Sequence, residues 1–211
     1  MLPSTRFLPG EGYFPHARPV NHQRETSSWN FGKSAARNMA DPSASRLRAP
    51  AVPLPFHVVL VEPEIPPNTG NAARLCAATG CRLHLVRPLG FSTDAKAVRR
   101  AGLDYWHLVD LQEHSNFSAF EAERAGQGHI YFFTGKASKS YLDVRFELGD
   151  YLVFGRESVG LPDSILDAYP DQLVGIPTLG AVRSLNLANS VALGIYEALR
   201  QTGCLNQPAL G

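Results

Sequence analysis

The chain reads as an α/β protein, a mostly parallel sheet with helices on both faces. Short, nearly continuous apolar runs recur from Phe56 onward, as strands covered on both faces require. Helical stretches separate them, which is the βαβ order of a parallel sheet. The densest polar segments, rich in Gly and Pro, follow predicted strands, and ligands bind at those C-terminal strand ends in open parallel sheets.

Each element follows from its own residues. Residues 56–61 (FHVVLV) form the first strand. In the following EPEIPPNTG, Pro66 and Pro67 forbid regular pairing. Asn68 then reads as the N-cap of a helix through NAARLCAAT, closed by Gly80. A second strand is expected at 82–87 and a short helix rich in Lys and Arg at 94–102. Further strands are expected at 105–111, 129–134, 150–155 and 173–177, with helices at 116–125 and, after Pro162, at 162–168. The last helix is expected over about 184–202, where Leu185, Ala188, Ala192, Ile195 and Leu199 step by three or four to give one buried stripe.

Composition bounds the function. A length of 211 residues fits one ordinary domain plus an appendage, or two small domains. No apolar run reaches the roughly 18 residues of a membrane-spanning helix. Cys76, Cys81 and Cys204 form no C-x-x-C, so neither a disulfide framework nor a zinc site is indicated, and a reducing, cytoplasmic compartment is the expectation. A net charge of +1 excludes a protein that grips nucleic acid by sheer charge, though not one with a local basic patch.

That charge is unevenly placed. Residues 1–55 hold seven basic and three acidic side chains, a balance of +4, which leaves −3 on the rest. The segment is rich in Pro and Ser and shows no amphipathic period, so it reads as a disordered extension before a folded domain at 56–206. Three explanations compete: a mis-assigned start with Met39 as the initiator, an RNA-touching basic arm, or an organelle transit peptide. No apolar core of a secretory signal is present.

Among motifs, the usual ones are missing. The sequence contains no G-x-x-x-x-G-K-[ST], G-x-G-x-x-G, H-E-x-x-H or G-x-S-x-G, and its histidines show no metal-ligand spacing. No metal is expected. Asn116-Phe117-Ser118 matches a glycosylation sequon by chance.

Three segments carry chemistry. In Asn68-Thr69-Gly70-Asn71-Ala72-Ala73-Arg74, a tight loop opens a helix whose free N–H groups favour an anion, with Arg74 one turn inside; a capped helix with a solvated Arg is the plainer reading. Phe154-Gly155-Arg156-Glu157-Ser158-Val159-Gly160-Leu161-Pro162 is either a ligand loop whose glycines allow close backbone approach or a tight βα turn. In the third, Arg183, Ser184, Asn186 and Asn189 crowd the start of an apolar helix. Asn weakens a helix unless a specific bond offsets it, and the i, i+3 pair Asn186 and Asn189 shares one face, for a site or merely to cap neighbouring loops.

Taken together, N-x-G-N-x-x-R, F-G-x-E-x-x-G-L-P and I-P…R-S-L-N-L-x-N-S-V…Y-E resemble, in order, the motifs of the SPOUT (trefoil-knot) RNA methyltransferases. The opening E-P-E-I-P-P-N-T-G-N and R-R-A-G-L-D-Y at Arg99 to Tyr105 resemble the TrmL-type tRNA (cytidine/uridine-34) 2′-O-methyltransferases. The match spans about 56–203, and the extension has no counterpart in that minimal family.

The resemblance implies a C-terminal trefoil knot, S-adenosylmethionine as methyl donor, and a homodimer in which the last helix contributes to the interface. It implies that Phe133, Thr134, Gly135, Gly155, Glu157, Gly160, Ile176, Ser184 and Leu185 cradle the donor. It implies Arg74 as activator of a ribose 2′-hydroxyl, with Asn71, Ser184 and Asn186 completing the catalytic set. A guanidinium is essentially never deprotonated, so holding phosphate and stabilising oxyanion charge is the role that fits Arg74 chemically. Arg156 departs from the non-basic residue expected in its loop, and is either a phosphate contact or a surface charge. Lys96, Arg99, Arg100, Arg156 and Arg183 are the candidate RNA contacts, and the anticodon stem-loop of tRNA is the expected partner. Tyr105, Trp106 and Tyr141 are either stacking platforms or core.

Overall fold

A computed structural model describes residues 46–92, 106–124 and 126–210. Lys96, Arg99, Arg100 and Tyr105, with the helix expected at 94–102, lie outside the described residues. The strands are β1 (Leu47–Arg48), β2 (His57–Val61), β3 (Arg82–Val86), β4 (Leu111–His114), β5 (Ile130–Phe133), β6 (Tyr151–Phe154), β7 (Leu173–Val174) and β8 (Ala209–Leu210). The helices are α1 (Pro66–Thr79), α2 (Phe117–Arg124), α3 (Asp163–Ala168) and α4 (Leu187–Gln201).

Six strands form one sheet in the order β4-β3-β2-β6-β5-β7, and every neighbouring pair is parallel. Alternation along β2 explains its unbroken apolar run. Val58 and Leu60 join one core with Ala72, Ala73 and Cys76 of α1 and Val191, Ile195 and Ala198 of α4. Val59 and Val61 join the other, with Phe120 of α2 and Ile165 and Leu166 of α3. Helices therefore cover both faces, as expected. The chain leaves β2 toward β3 on one side and leaves β6 toward β7 on the other. The crevice outside the carboxyl ends of adjacent β2 and β6 is thus the switch point where ligands bind in such sheets.

Several boundaries differ from expectation, each for a local reason. The helix α1 begins at Pro66, with Ile65 in the cap position and no side-chain cap bond. Two prolines in the first turn remove two of the N–H groups a cap would serve. Asn68 is turned to another task. The strand expected at 105–111 is a 3₁₀ turn at Trp106–Leu108 followed by β4. Trp106 and Val109, three apart, both pack against the core as a helical turn allows. Leu47 and Arg48 of the presumed extension pair antiparallel with β8. The last helix begins at Leu187, so Leu185 falls outside its buried stripe of Leu187, Ala188, Val191, Gly194, Ile195, Ala198 and Leu199. Asn116 of the sequon accepts the Ala119 N–H and starts α2. Tyr141 is buried and Trp106 packs against the core, so neither is a free stacking platform.

A row of buried histidines crosses three strands. His57 Nδ1 lies 2.8 Å from His84 Nε2, and His84 Nδ1 lies 2.9 Å from His114 Nε2. His114 Nδ1 faces the Glu123 carboxylate at 3.4 Å, and His57 stacks on Tyr151. Burial, with Arg82 second, pushes the His57 ring down to about 4. Burial, then the neighbouring His57 and His114, pushes His84 down to about 3. His57 and His84 are therefore neutral at physiological pH, each ring able to donate from one nitrogen and accept at the other.

Candidate active site

The loops leaving β2, β5, β6 and β7 converge on one cleft of about 800 Å³ at the switch point. The sequence-predicted donor residues Phe133, Thr134, Gly135, Gly155, Glu157, Gly160, Ile176, Ser184 and Leu185 all line it, as do Arg156, Arg183 and Asn186. Asn71 and Arg74 are exposed on α1 and are not among the lining residues.

Side chains tie these loops together. The Glu157 carboxylate accepts the Glu64 N–H at 2.9 Å, the Ile65 N–H at 3.3 Å and the Asn68 amide at 3.0 Å. Glu157 thereby serves one of the N–H groups at the start of α1 that a cap would otherwise satisfy. Asn68, buried, accepts at Oδ1 from the Asn186 amide at 2.9 Å. Asn186 in turn caps α4, its Oδ1 taking the Ala188 and Asn189 N–H groups. Two helix starts and the β6 loop are joined through one chain of amides and a carboxylate.

The β6 loop is itself a tight hairpin. Arg156 and Gly160 exchange backbone hydrogen bonds at 3.1 and 2.9 Å. Gly155 lies under its closing strand: a Cβ there would sit 2.2 Å from Gly160 C and Leu161 N. Only glycine fits. By contrast, a Cβ at Gly135 or Gly160 would meet nothing within 4 Å, so the cleft comes up to bare backbone there. Arg156 pairs with Glu62, whose backbone is left-handed at φ 52°. Arg183 donates to the Ser158 carbonyl at 3.2 Å. The sequence alone assigns no role to Glu62, Glu64 or Ser158. Their signal was the spacing E-P-E next to a Pro-rich turn, visible only once the β6 hairpin lies beside it.

This cleft mixes apolar walls from Phe133, Phe154, Leu161 and Ile176 with backbone amides and a few fixed polar groups, the usual make-up of a small-molecule site. Among the described residues, no group of three or more His, Cys, Asp or Glu is arranged to hold a metal ion. No helix among them is long and apolar enough to cross a membrane.

A family model described as the SpoU rRNA methylase family matches residues 55–196. The chain belongs to the SpoU rRNA methylase family. The matched span holds all three motif segments. Within the SpoU family it is 49% identical over 150 residues to the tRNA (cytidine(34)-2′-O)-methyltransferase of Escherichia coli (strain K12), covering 70% of this chain and 94% of that one. It is 47% identical over 153 residues to the enzyme of the same name from Yersinia pestis, again covering 70% and 94%. A structure solved for insights into the 2-OH methylation of C/U34 on tRNA superposes with a TM-score of 0.65 and 47% identity, over 69% of this chain and 95% of that one. The SpoU methyltransferase AviRb from Streptomyces viridochromogenes, solved in complex with the cofactor AdoMet, superposes with a TM-score of 0.59 and 26% identity, over 72% and 59%.

Proposed function

We propose that this chain methylates the ribose 2′-hydroxyl of nucleotide 34, cytidine or uridine, in the anticodon loop of tRNA. The donor is S-adenosylmethionine, and the enzyme acts as a cytoplasmic homodimer with residues 56–206 as its catalytic body. The observation that carries the reading is the convergence of three motif loops on one cleft, locked by the Glu157–Asn68–Asn186 chain. The near full-length likeness to enzymes named for this reaction supports the substrate.

The cleft fits the donor. Bare glycine backbone at Gly135 and Gly160 leaves room where a side chain would intrude. Phe133, Phe154 and Ile176 offer an apolar surface for a purine, and backbone groups of the same loops offer its hydrogen bonds. When bound, S-adenosylmethionine supplies an electrophilic methyl group. The protein's task is then to bring a weak nucleophile into line and to stabilise the charge it develops. Orientation alone contributes several kcal/mol in such reactions. Arg74, on the helix whose start is fixed by Glu157, carries a permanent charge suited to the developing oxyanion and an RNA phosphate. Ser184 and Asn186 orient donor and ribose from the α4 side, and Asn71 lies one turn before Arg74. Arg156, Arg183 and the basic run Lys96, Arg99, Arg100 serve the RNA backbone. On α4, Leu193 and Tyr196 are 41% and 50% exposed, an apolar strip suited to a second copy.

The test is methyl transfer to tRNA with nucleotide-resolved mapping. Modification at position 34 that disappears in Arg74→Ala, with S-adenosylmethionine binding by titration calorimetry intact, is the expected result. Methylation of ribosomal RNA alone would overturn the substrate. An active Arg74→Ala would remove that residue from the chemistry.

A further inference from the structure

We infer that Glu64 is a positioning residue, which sets Arg183 for substrate RNA through the Ser158 carbonyl. The inference rests on the tRNA reading above for what Arg183 contacts, but the clasp itself is read from geometry. The Glu64 carboxylate takes two donors from one residue: the Ser158 N–H at 3.1 Å and the Ser158 hydroxyl at 2.9 Å. In the reverse direction, the Glu64 N–H donates to Glu157. The two segments thus exchange carboxylates, each gripping the other's backbone. The Ser158 carbonyl, on the same fixed residue, receives Arg183.

Glu64 has a rigid backing. Gly90 donates its N–H to the Pro63 carbonyl at 3.0 Å, and a Cβ at position 90 would lie 2.8 Å from Glu64 Cα. The backbone under Glu64 cannot retreat, so the carboxylate is delivered to the hairpin tip at a set height. Arg183, in contrast, belongs to a wholly exposed stretch, residues 179–186, without helix or strand. It reaches out of that stretch to the Ser158 carbonyl, while three residues further along Asn186 is anchored to Asn68. A long, rotamer-rich side chain on such a stretch loses substantial entropy when RNA fixes it; holding it beforehand lowers that loss. The clasp lies at a surface tip, so its removal leaves the two cores intact.

The decisive substitutions are Glu64→Ala and Glu64→Gln. Gln keeps both bonds, because its carbonyl oxygen accepts the Ser158 N–H and its amide donates to the hydroxyl. Two readouts are taken on the full chain. The first is the rate at which trypsin nicks the Arg183–Ser184 bond, followed by mass spectrometry and independent of activity. Glu64→Ala is expected to raise it about fivefold, the shift one ordinary hydrogen bond supports, and Glu64→Gln to restore it. The second is steady-state methylation of tRNA. Glu64→Ala is expected to raise KM for tRNA by a similar factor, with S-adenosylmethionine affinity and unfolding temperature unchanged. In an Arg183→Ala background it should have no further effect, since the two act in series. An unchanged nick, or equal losses with and without Arg183, overturns the inference. If the wild-type protein methylates no tRNA, the tRNA reading fails, and the nick alone decides whether the clasp exists.

Discussion

Asn68 shows how much one amide can carry. Its Nδ2 donates to Glu157 and its Oδ1 accepts from Asn186, so both polar ends of a buried side chain are used. An Asp at 68 keeps the shape and the bond from Asn186 but sets a second carboxylate about 3 Å from Glu157. Like charges that close are strongly unfavourable, and protonation of either relieves them. Asn68→Asp is therefore expected to lower stability at pH 7 by roughly 2–3 kcal/mol, a charged hydrogen bond turned to repulsion. The deficit relative to wild type should shrink by pH 5, and denaturant titrations at both pH values check it. A deficit independent of pH would mean that Glu157 does not face residue 68. Gly155 tests the same cleft by size alone. With its Cβ position 2.2 Å from two backbone atoms, Gly155→Ala must push the hairpin outward. Donor binding measured by calorimetry should then fall at least about tenfold, as overpacking against backbone has no rotamer to escape into.

At the scale of elements, what the sequence told and withheld divides along local and non-local lines. Period and run length are local, so all strands of the sheet except β4 and both helical faces were legible from residues 56–201. The start of α1 differs from expectation because Asn68 looks like a cap, whereas Pro66 and Pro67 are themselves its first two helical residues, with Ile65 in the cap position. Its partners lie 89 and 118 residues away, a pairing no spacing rule reports. The histidine row was equally hidden, being three residues on three strands offset by two positions each. It has a consequence for acid stability. Unfolded histidines bind protons below their ordinary value of about 6.5. Folded His57 and His84 stay neutral until about 4 and about 3. The unfolded chain therefore binds more protons in that window, and stability falls as pH drops from 6.5 toward 3, by about 1.4 kcal/mol per pH unit for each ring. Above 6.5 both states are neutral and this contribution is flat. Replacing His84 by Gln removes one titration; the variant should lose less stability than wild type between pH 7 and pH 5, read by denaturant midpoints. Parallel losses would place the acid sensitivity elsewhere.

For the whole molecule, charge and the α4 surface argue together. The body from residue 56 carries −3, so a single copy is a poor polyanion binder in bulk, and its RNA contacts must be local. In the proposed homodimer, basic groups of two copies share the roughly 4–6 phosphates contacted on one RNA. For the proposed homodimer, the apolar strip of Leu193 and Tyr196 is the candidate contact, since α4 turns its buried face to the sheet and leaves these side chains outward. On the proposed homodimer, the wild-type protein is expected to sediment at equilibrium as twice 23.0 kDa, and the variant with Glu at both positions as 23.0 kDa. The variant's fold, whose core contacts lie on the opposite face of α4, should persist by circular dichroism. Its tRNA affinity should fall, and the slope of log affinity against log salt should drop toward half, because each phosphate contact contributes about 0.7–0.9 to that slope. A monomer with the full slope would show that one copy makes every phosphate contact, and that the second serves some other end. A variant that stays dimeric would move the interface off α4, leaving Leu193 and Tyr196 as ordinary exposed apolar residues.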